Sequence, residues 1–114
     1  MQWLQLESEE QLASLLEKSI KRPQVIFKHS TRCSVSSVIK NRLEKSAIPG
    51  HIDFHYLDLI RYRSLSNKIA EDLGVWHESP QVLLIQNGHC IFDESHLAIY
   101  MEDIVTEAPS VNSQ

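Results

Sequence analysis

The chain has 114 residues, of which 42% are hydrophobic and 23% charged, a balance typical of water-soluble globular proteins. This length allows one domain with a single modest core. The formal net charge of −4 argues against a nucleic-acid-binding surface, so we expect no nucleic-acid partner. No apolar run approaches the roughly 20 residues that span a membrane, and the N-terminus lacks the basic start and apolar core of a signal peptide. We therefore expect a cytoplasmic protein with no membrane partner.

The first half of the chain predicts two helices with a buried strand, residues 24–28, between them. The first helix begins at a capping pattern that starts with Ser8, and it ends before Pro23. Its predicted apolar face consists of Leu12, Leu15, Leu16 and Ile20. The second helix follows Cys33 and stops at Pro49. Its apolar positions are Val35, Val38, Ile39 and Leu43.

The second half predicts another strand, another helix and a hairpin. Residues 53–59 form the strand, and Gly74 ends the helix that follows it. That helix has its apolar positions at Leu65, Ile69, Ala70 and Leu73. Residues 81–86 and 89–92 form a third strand and its return strand, joined by the two-residue turn Asn87-Gly88.

The last predicted helix begins at Ser95-His96, which we interpret as its cap. Its apolar positions are Leu97, Tyr100, Met101 and Ile104. We assign residues 1–107 to a single domain and residues 108–114 to a polar, frayed tail.

The predicted order of elements is α-β-α-β-α-β-β-α, which indicates the α/β class. Strands joined through helices, followed by a hairpin, favour a central mixed four-stranded sheet flanked by helices on both faces. A short extra N-terminal strand is compatible with this order. The arrangement resembles the thioredoxin-like fold, in which a reactive cysteine begins the helix after the first core strand and a cis-proline begins the strand before the final hairpin. Cys33 and Pro80 occupy those two places.

Cys33 lies where a strand passes into a helix. The unpaired N–H groups and partial positive charge of a helix N-terminus favour the thiolate, which is the attacking form of cysteine. Arg32 is adjacent, and Lys28 and His29 are close in sequence. We therefore predict an activated nucleophile in preference to an inert loop cysteine.

The motif around this cysteine is Cys33-Ser34-Val35-Ser36, which contains a single thiol. Ser36 cannot form a disulfide, so a mixed disulfide on Cys33 must be resolved by another thiol, from a small molecule or another protein. Ser36 lies one helical turn further on. Two roles stay open for it: a hydrogen bond to the Cys33 thiolate, or a solvated position on the helix.

Cys90 is the other cysteine of the chain, and the predicted hairpin places it opposite Ile85. Cys90 then lies roughly 16 Å along the sheet from Pro80, at about 3.3 Å per residue. A disulfide requires Cα atoms within about 7 Å. We expect Cys90 to be a small residue of the core or of a sheet face.

Ser79-Pro80 is a candidate cis peptide bond, which would turn the Ser79 backbone toward an incoming disulfide-bearing chain. The alternative is a trans proline that opens an edge strand. Just before it, Trp76 and His77 either supply an apolar wall and a polar contact for a thiol ligand, or are a packing residue and a surface histidine. The histidine and cysteine spacings match no zinc motif, so we expect no metal.

Three segments together resemble the monothiol bacilliredoxins of the YtxJ type: residues 28–36, residues 77–81 and Ser95-His96. The resemblance extends from about Trp3 to about Val105. It implies bacillithiol as a thiol co-substrate and S-bacillithiolated client proteins as partners. We assign no catalytic role to Ser95-His96.

The resemblance also implies a cycle. Cys33 would attack the bacillithiol sulfur of a capped client and release the client's thiol, and a second bacillithiol would then give oxidised bacillithiol for a separate reductase. We assign Cys33 and Ser36 as catalytic. The substrate-binding candidates are Arg32, Ser34, His77, Ser79 and Pro80.

Two alternatives differ in partner or in class. A glutathione-dependent monothiol glutaredoxin or iron–sulfur carrier would use the same single cysteine, but its Cys-Gly-Phe-Ser motif is absent. A thioredoxin-like binding or redox-sensing module would have an incidental or regulatory Cys33. We expect a monomer or weak dimer.

Overall fold

The computed structural model describes residues 1–108, while residues 109–114 of the predicted tail lie outside the described residues. Its strands are β1 Leu4–Gln5, β2 Gln24–His29, β3 Asp53–Asp58, β4 Gln81–Gln86 and β5 His89–Ser95. Its helices are α1 Glu9–Lys18, α2 Ser34–Lys45, α3 Arg63–Leu73 and α4 Met101–Glu107, with a short 3-10 turn at His96–Ala98.

The five strands form one mixed sheet in the order β1-β3-β2-β4-β5. β1, β3 and β2 are parallel, whereas β4 is antiparallel to β2 and to β5. The predicted α/β class and thioredoxin-like sheet are confirmed. β1 is the short extra strand that the sequence left optional.

Helices cover both faces of the sheet because the central strand β2 alternates apolar side chains between them. Val25 and Phe27 face the cluster formed with α2 and α4. Ile26 faces the cluster formed with α1 and α3. We call these the α2/α4 face and the α1/α3 face. The two sides of β2 therefore lead to different surroundings, which decides where each polar side chain at its end can reach.

The predicted apolar faces contain four errors. Ile20 is 62% exposed because α1 ends at Lys18. The chain turns there since Ser19 is buried and accepts hydrogen bonds from Asn87 N–H at its carbonyl and Gly88 N–H at its hydroxyl, both at 2.8 Å. The other misplaced residues, all exposed, are Val38, Leu97 and Tyr100.

The C-terminal part also departs from prediction. Ser95 and His96 do not cap the last helix, because β5 continues to Ser95 and α4 begins after Tyr100. His96 has a positive φ of 58° and donates its N–H to Pro80 O at 2.9 Å, which extends the sheet contact beyond the predicted strand end. Ala108, assigned to the frayed tail, is buried against the α2/α4 cluster. The domain therefore includes at least this residue.

Two further observations concern residues 1–108. No helix in this range is long and apolar enough to cross a membrane. Within the same range, no three or more His, Cys, Asp or Glu side chains are grouped in a way that could hold a metal ion.

Candidate active site

Two loops meet at one edge of the sheet, where β2 ends and β4 begins. Because Lys28 pairs with Gln81 in the antiparallel ladder, the loop with Cys33 and the residues just before β4 lie at the same edge. The Ser79–Pro80 peptide bond is cis, so the alternative of a trans proline is wrong. The structure thus brings together the two features on which the sequence interpretation depends.

Cys33 is the N-cap residue of α2 and is partly exposed. Its N–H donates to Ser30 O at 3.2 Å, and its carbonyl accepts from Ser37 N–H at 3.2 Å. Arg32 and Ser34, the neighbours assigned to substrate binding, are both exposed. The positive end of the α2 dipole therefore lies beside a thiol that solvent can reach.

Ser36 is fully buried, so the alternative of a solvated helix serine is wrong. Its Oγ accepts from Ser30 N–H at 3.1 Å and lies 2.7 Å from His29 Nδ1. Among residues 1–108, the structure shows no hydrogen bond between the Ser36 hydroxyl and Cys33. Ser36 lies at the third position of α2, and through Ser30 and His29 it ties the start of α2 to the end of β2.

His29 is a functional candidate that the sequence analysis treated only as a nearby charge. The residue is 4% exposed, and its ring packs against those of Phe27 and Tyr56, at centroid distances of 5.6 and 5.4 Å. Burial, and after it the charge of Lys40, lowers the pKa of His29. The strand alternation could have indicated this position, since His29 shares a sheet face with Phe27 and hence with α2.

Lys28 does not lie beside Cys33 as a surface charge, which corrects the sequence interpretation. Its side chain is fully buried on the α1/α3 face. Its Nζ donates to Ser66 O at 3.1 Å and lies 3.5 Å from His77 Nδ1. Burial lowers the pKa of Lys28 to about 8. One-residue alternation along β2 explains the difference, because it sends Lys28 and His29 to opposite faces.

His77 belongs to the same buried polar group as Lys28, whereas its neighbour Trp76 is exposed to solvent. His77 Nδ1 lies 3.3 Å from Ser66 Oγ, and burial lowers the pKa of the imidazole, with Lys28 as the next cause. His77 is therefore partly buried and not a plain surface histidine. Trp76 is 90% exposed, so the packing alternative for it is wrong. An apolar surface next to the cis-proline loop is the role that remains for Trp76.

Gln81, which the sequence analysis missed, holds the loop before the cis-proline. Its buried amide donates to Trp76 O at 2.9 Å and accepts from Glu78 N–H at 3.4 Å. The signal was a polar residue at the first position of a buried strand. Ser79, at the end of the same loop, has a buried hydroxyl oxygen without a hydrogen-bond partner among residues 1–108. Pro80 is buried.

Cys90 lies far from this edge, as predicted. It pairs with Ile85, near the start of β2 where Gln24 pairs with the same residue. Its side chain packs against the α1/α3 cluster, whereas the helix that begins at Cys33 packs on the other face. Burial raises the pKa of the Cys90 thiol to about 11. Both cysteines are free thiols, at opposite ends and on opposite faces of the sheet.

Comparison with known proteins adds the family context. A family model described as monothiol bacilliredoxin BrxC matches residues 4–104. Among solved structures, a proposed oxidoreductase with a thioredoxin fold is 27% identical over 91% of each chain, with a TM-score of 0.80. The thioredoxin of Malassezia sympodialis is 20% identical over 93% of this chain and 90% of its own, with a TM-score of 0.73. That of Fasciola hepatica is also 20% identical, over 91% and 98%, with a TM-score of 0.73.

Proposed function

The chain belongs to the monothiol bacilliredoxin family, and from that premise we propose that it removes bacillithiol from client proteins by thiol–disulfide exchange at Cys33. Family and fold assign it thiol–disulfide redox chemistry. The finer activity, debacillithiolation with bacillithiol as co-substrate, is the proposal. Its compartment would be the cytoplasm, where protein cysteines are kept reduced by low-molecular-weight thiols.

One observation carries the proposal: a single accessible thiol stands at a helix N-terminus, and the second thiol is remote. Cys90 lies at the other end of the sheet and on its other face. Cys33 therefore has no resolving cysteine nearby within residues 1–108. A mixed disulfide formed on Cys33 needs an external thiol to resolve it, which is the requirement of a monothiol cycle.

The proposed cycle consists of two successive thiol–disulfide exchanges. The Cys33 thiolate attacks the bacillithiol sulfur of the client's mixed disulfide; the new S–S bond forms as the client S–S bond breaks, and the client sulfur leaves as a thiolate that takes a proton from water. The thiolate of a second bacillithiol then attacks the bound bacillithiol sulfur. Oxidised bacillithiol leaves, and Cys33 returns as a thiolate.

The remaining site residues have proposed roles that follow from their positions. Arg32 and Ser34 flank the thiol at the exposed start of α2 and would contact the polar bacillithiol moiety. The backbone of Ser79 beside Pro80 would pair with the client chain in strand-like fashion. His77 would supply a polar contact from the loop before the cis-proline.

The test is a debacillithiolation assay with the full chain, a client protein carrying a bacillithiol mixed disulfide, and excess bacillithiol. We expect Cys33→Ala to lose at least about 100-fold in rate, since no other group supplies the attacking sulfur. Cys90→Ala, the matched control, should stay within about twofold of the wild type, since its thiol takes no part. Mass spectrometry of the stalled reaction should find bacillithiol on Cys33.

Two outcomes would contradict the proposal. Full activity of Cys33→Ala would exclude this cysteine as the nucleophile. The second outcome is that a glutathione-capped client, with glutathione as the second thiol, loses its cap faster than the bacillithiol-capped client. This result would assign the site to glutathione instead of bacillithiol.

A further inference from the structure

His96 has a strained backbone conformation. Its φ is 58°, in the left-handed region that crowds the Cβ atom of any residue other than glycine. The other residue of this kind among residues 1–108 is Asn87, with a φ of 54°. Asn87 opens the two-residue hairpin turn, whose geometry requires a positive φ. His96 lies outside the hairpin, directly after β5, so its strain needs a different explanation.

Two contacts of His96 hold the loop before β4. Its N–H donates to Pro80 O at 2.9 Å. Its ring nitrogen Nε2 lies 3.2 Å from Glu78 Oε1, and since a carboxylate only accepts, the imidazole donates. The two contacts lie on either side of Ser79 in the sequence. Both side chains are about half-exposed, so this bridge between two loops lies at the surface.

Ser79 itself is left with unpaired backbone groups. Within residues 1–108, neither its N–H nor its carbonyl has a hydrogen-bond partner. Glu78 N–H, by contrast, donates to Oε1 of the buried Gln81 at 3.4 Å. The loop is thus fixed at Glu78 and at Pro80, and the residue between them carries one free donor and one free acceptor. An extended peptide pairs with such groups as it would with the edge of a sheet.

We propose that His96 is a positioning residue for the client chain, whose imidazole and N–H hold the two neighbours of Ser79 so that the Ser79 backbone is ready to pair. A loop that is fixed in advance binds its partner more tightly, because binding does not have to order it. The strain at His96 follows from directing the N–H and the side chain of one residue to the same loop. The inference rests on the proposed pairing of Ser79 with the client.

Two substrates that differ only in the length of their chain test this role, with the full protein carrying Cys90→Ala as the parent. Both contain a cysteine capped with thionitrobenzoate: one in the middle of a short neutral peptide, the other in N-acetylcysteine amide. In each reaction the Cys33 thiolate forms a new S–S bond with the cysteine sulfur, and thionitrobenzoate leaves as a coloured thiolate. The measurement is the second-order rate constant of its release. The parent should react at least about threefold faster with the peptide, as one added backbone hydrogen bond would provide.

His96→Gly removes the imidazole and relieves the strain. It should lower the peptide rate about three- to fivefold, the upper range for one exposed ion pair, and leave the rate with N-acetylcysteine amide within about twofold. Its urea midpoint should not fall below that of the parent, because glycine adopts a positive φ without strain. Glu78→Ala should reproduce the loss, and the double variant should lose no more than either single variant. Asn87→Gly is the matched control: it relieves the same kind of strain beyond the far end of β4 and should leave both rates unchanged.

An equal fall in both rates of His96→Gly, together with a lower urea midpoint, would show a general structural role and overturn the proposal. An unchanged peptide rate in His96→Gly would also overturn it, as would equal rates for the two substrates in the parent. A parent that releases no thionitrobenzoate from either substrate would overturn the proposed nucleophile as well. Because neither substrate contains bacillithiol, failure of the positioning role is distinguishable from failure of the debacillithiolation assay.

Discussion

The two ends of the central strand β2 both bury polar side chains, yet in different ways. At its start, Gln24 accepts from His55 and donates to Asp53, at 2.7 and 2.9 Å, so each group has a fixed partner. At its end, Lys28 is a buried amine bonded to neutral groups, and His29 lies against the Ser36 hydroxyl, which also accepts from Ser30 in the loop before Cys33. We call the start of β2 the closed end, because its polar side chains bond one another, and its other end the open end, because the loop that carries Cys33 follows it.

The same difference separates the two cysteines. Cys90 lies near the closed end, packed against an apolar cluster and donating to Phe92 O at 3.4 Å. Cys33 lies beyond the open end, at the positive end of α2. The two cysteines therefore differ in their surroundings: Cys90 lies in an apolar site that disfavours an anion, whereas Cys33 is partly exposed at a helix N-terminus. We expect reactivity to follow this difference in position.

Alkylation kinetics test this comparison with the largest expected effect. At pH 7.5 a thiol whose pKa is raised to about 11, as for Cys90, is about 0.03% ionised, against about 10% for an ordinary exposed cysteine. We expect iodoacetamide to label Cys33 at least about 100-fold faster than Cys90, as followed by peptide mass spectrometry. Cys33→Ala should leave only the slow phase. Equal rates for the two thiols would contradict the contrast between the two ends.

Acid titration of stability tests the closed end. Burial lowers the pKa of His55 to about 4, so the unfolded chain takes up a proton from pH 6.5 downward while the folded chain resists. Stability that is fully present above pH 6.5 should be lost as the pH falls through 4, by up to about 3 kcal/mol. In urea unfolding, His55→Gln should lose less stability than the wild type over this range, because glutamine keeps a donor for Gln24 but takes up no proton. If the stability of His55→Gln falls with pH as steeply as that of the wild type, protonation of His55 is not the cause of the loss.

Removal of the buried amine tests the open end and has the smallest expected effect. The pKa of Lys28, lowered by burial to about 8, means that the charged form is disfavoured in the fold at pH 7. Lys28→Met should therefore be more stable than the wild type by about 1–2 kcal/mol at pH 7, measured by urea unfolding. Between pH 8 and 10.5 the folded wild type releases its proton first and gains stability, so the advantage of the variant should shrink. A destabilised Lys28→Met at every pH would show that the contacts with Ser66 and His77 outweigh the burial of the charge.

Patterns that depend on neighbours in sequence were predictable. The apolar run from Val25 to Phe27 indicated a strand covered on both faces, and Asn87-Gly88 fixed the hairpin and with it the pairing of Ile85 with Cys90. Errors occurred where distant contacts decide an element's end. Ser19 is an example: its bonds to the hairpin turn stop α1 before Ile20, and no local signal in that helix reports them.

The sequence by itself determined the thioredoxin-like order of elements, the single thiol at the start of α2 and the proline before β4, because these follow from local periodicity and from residue type. Only the tertiary structure decided which face each polar side chain of β2 enters. It placed Lys28 against α3 and His29 against Ser36, although the two are adjacent in the chain. The physical reason is that a strand sends successive side chains to opposite faces, and the helix packed on each face supplies the hydrogen-bond partners.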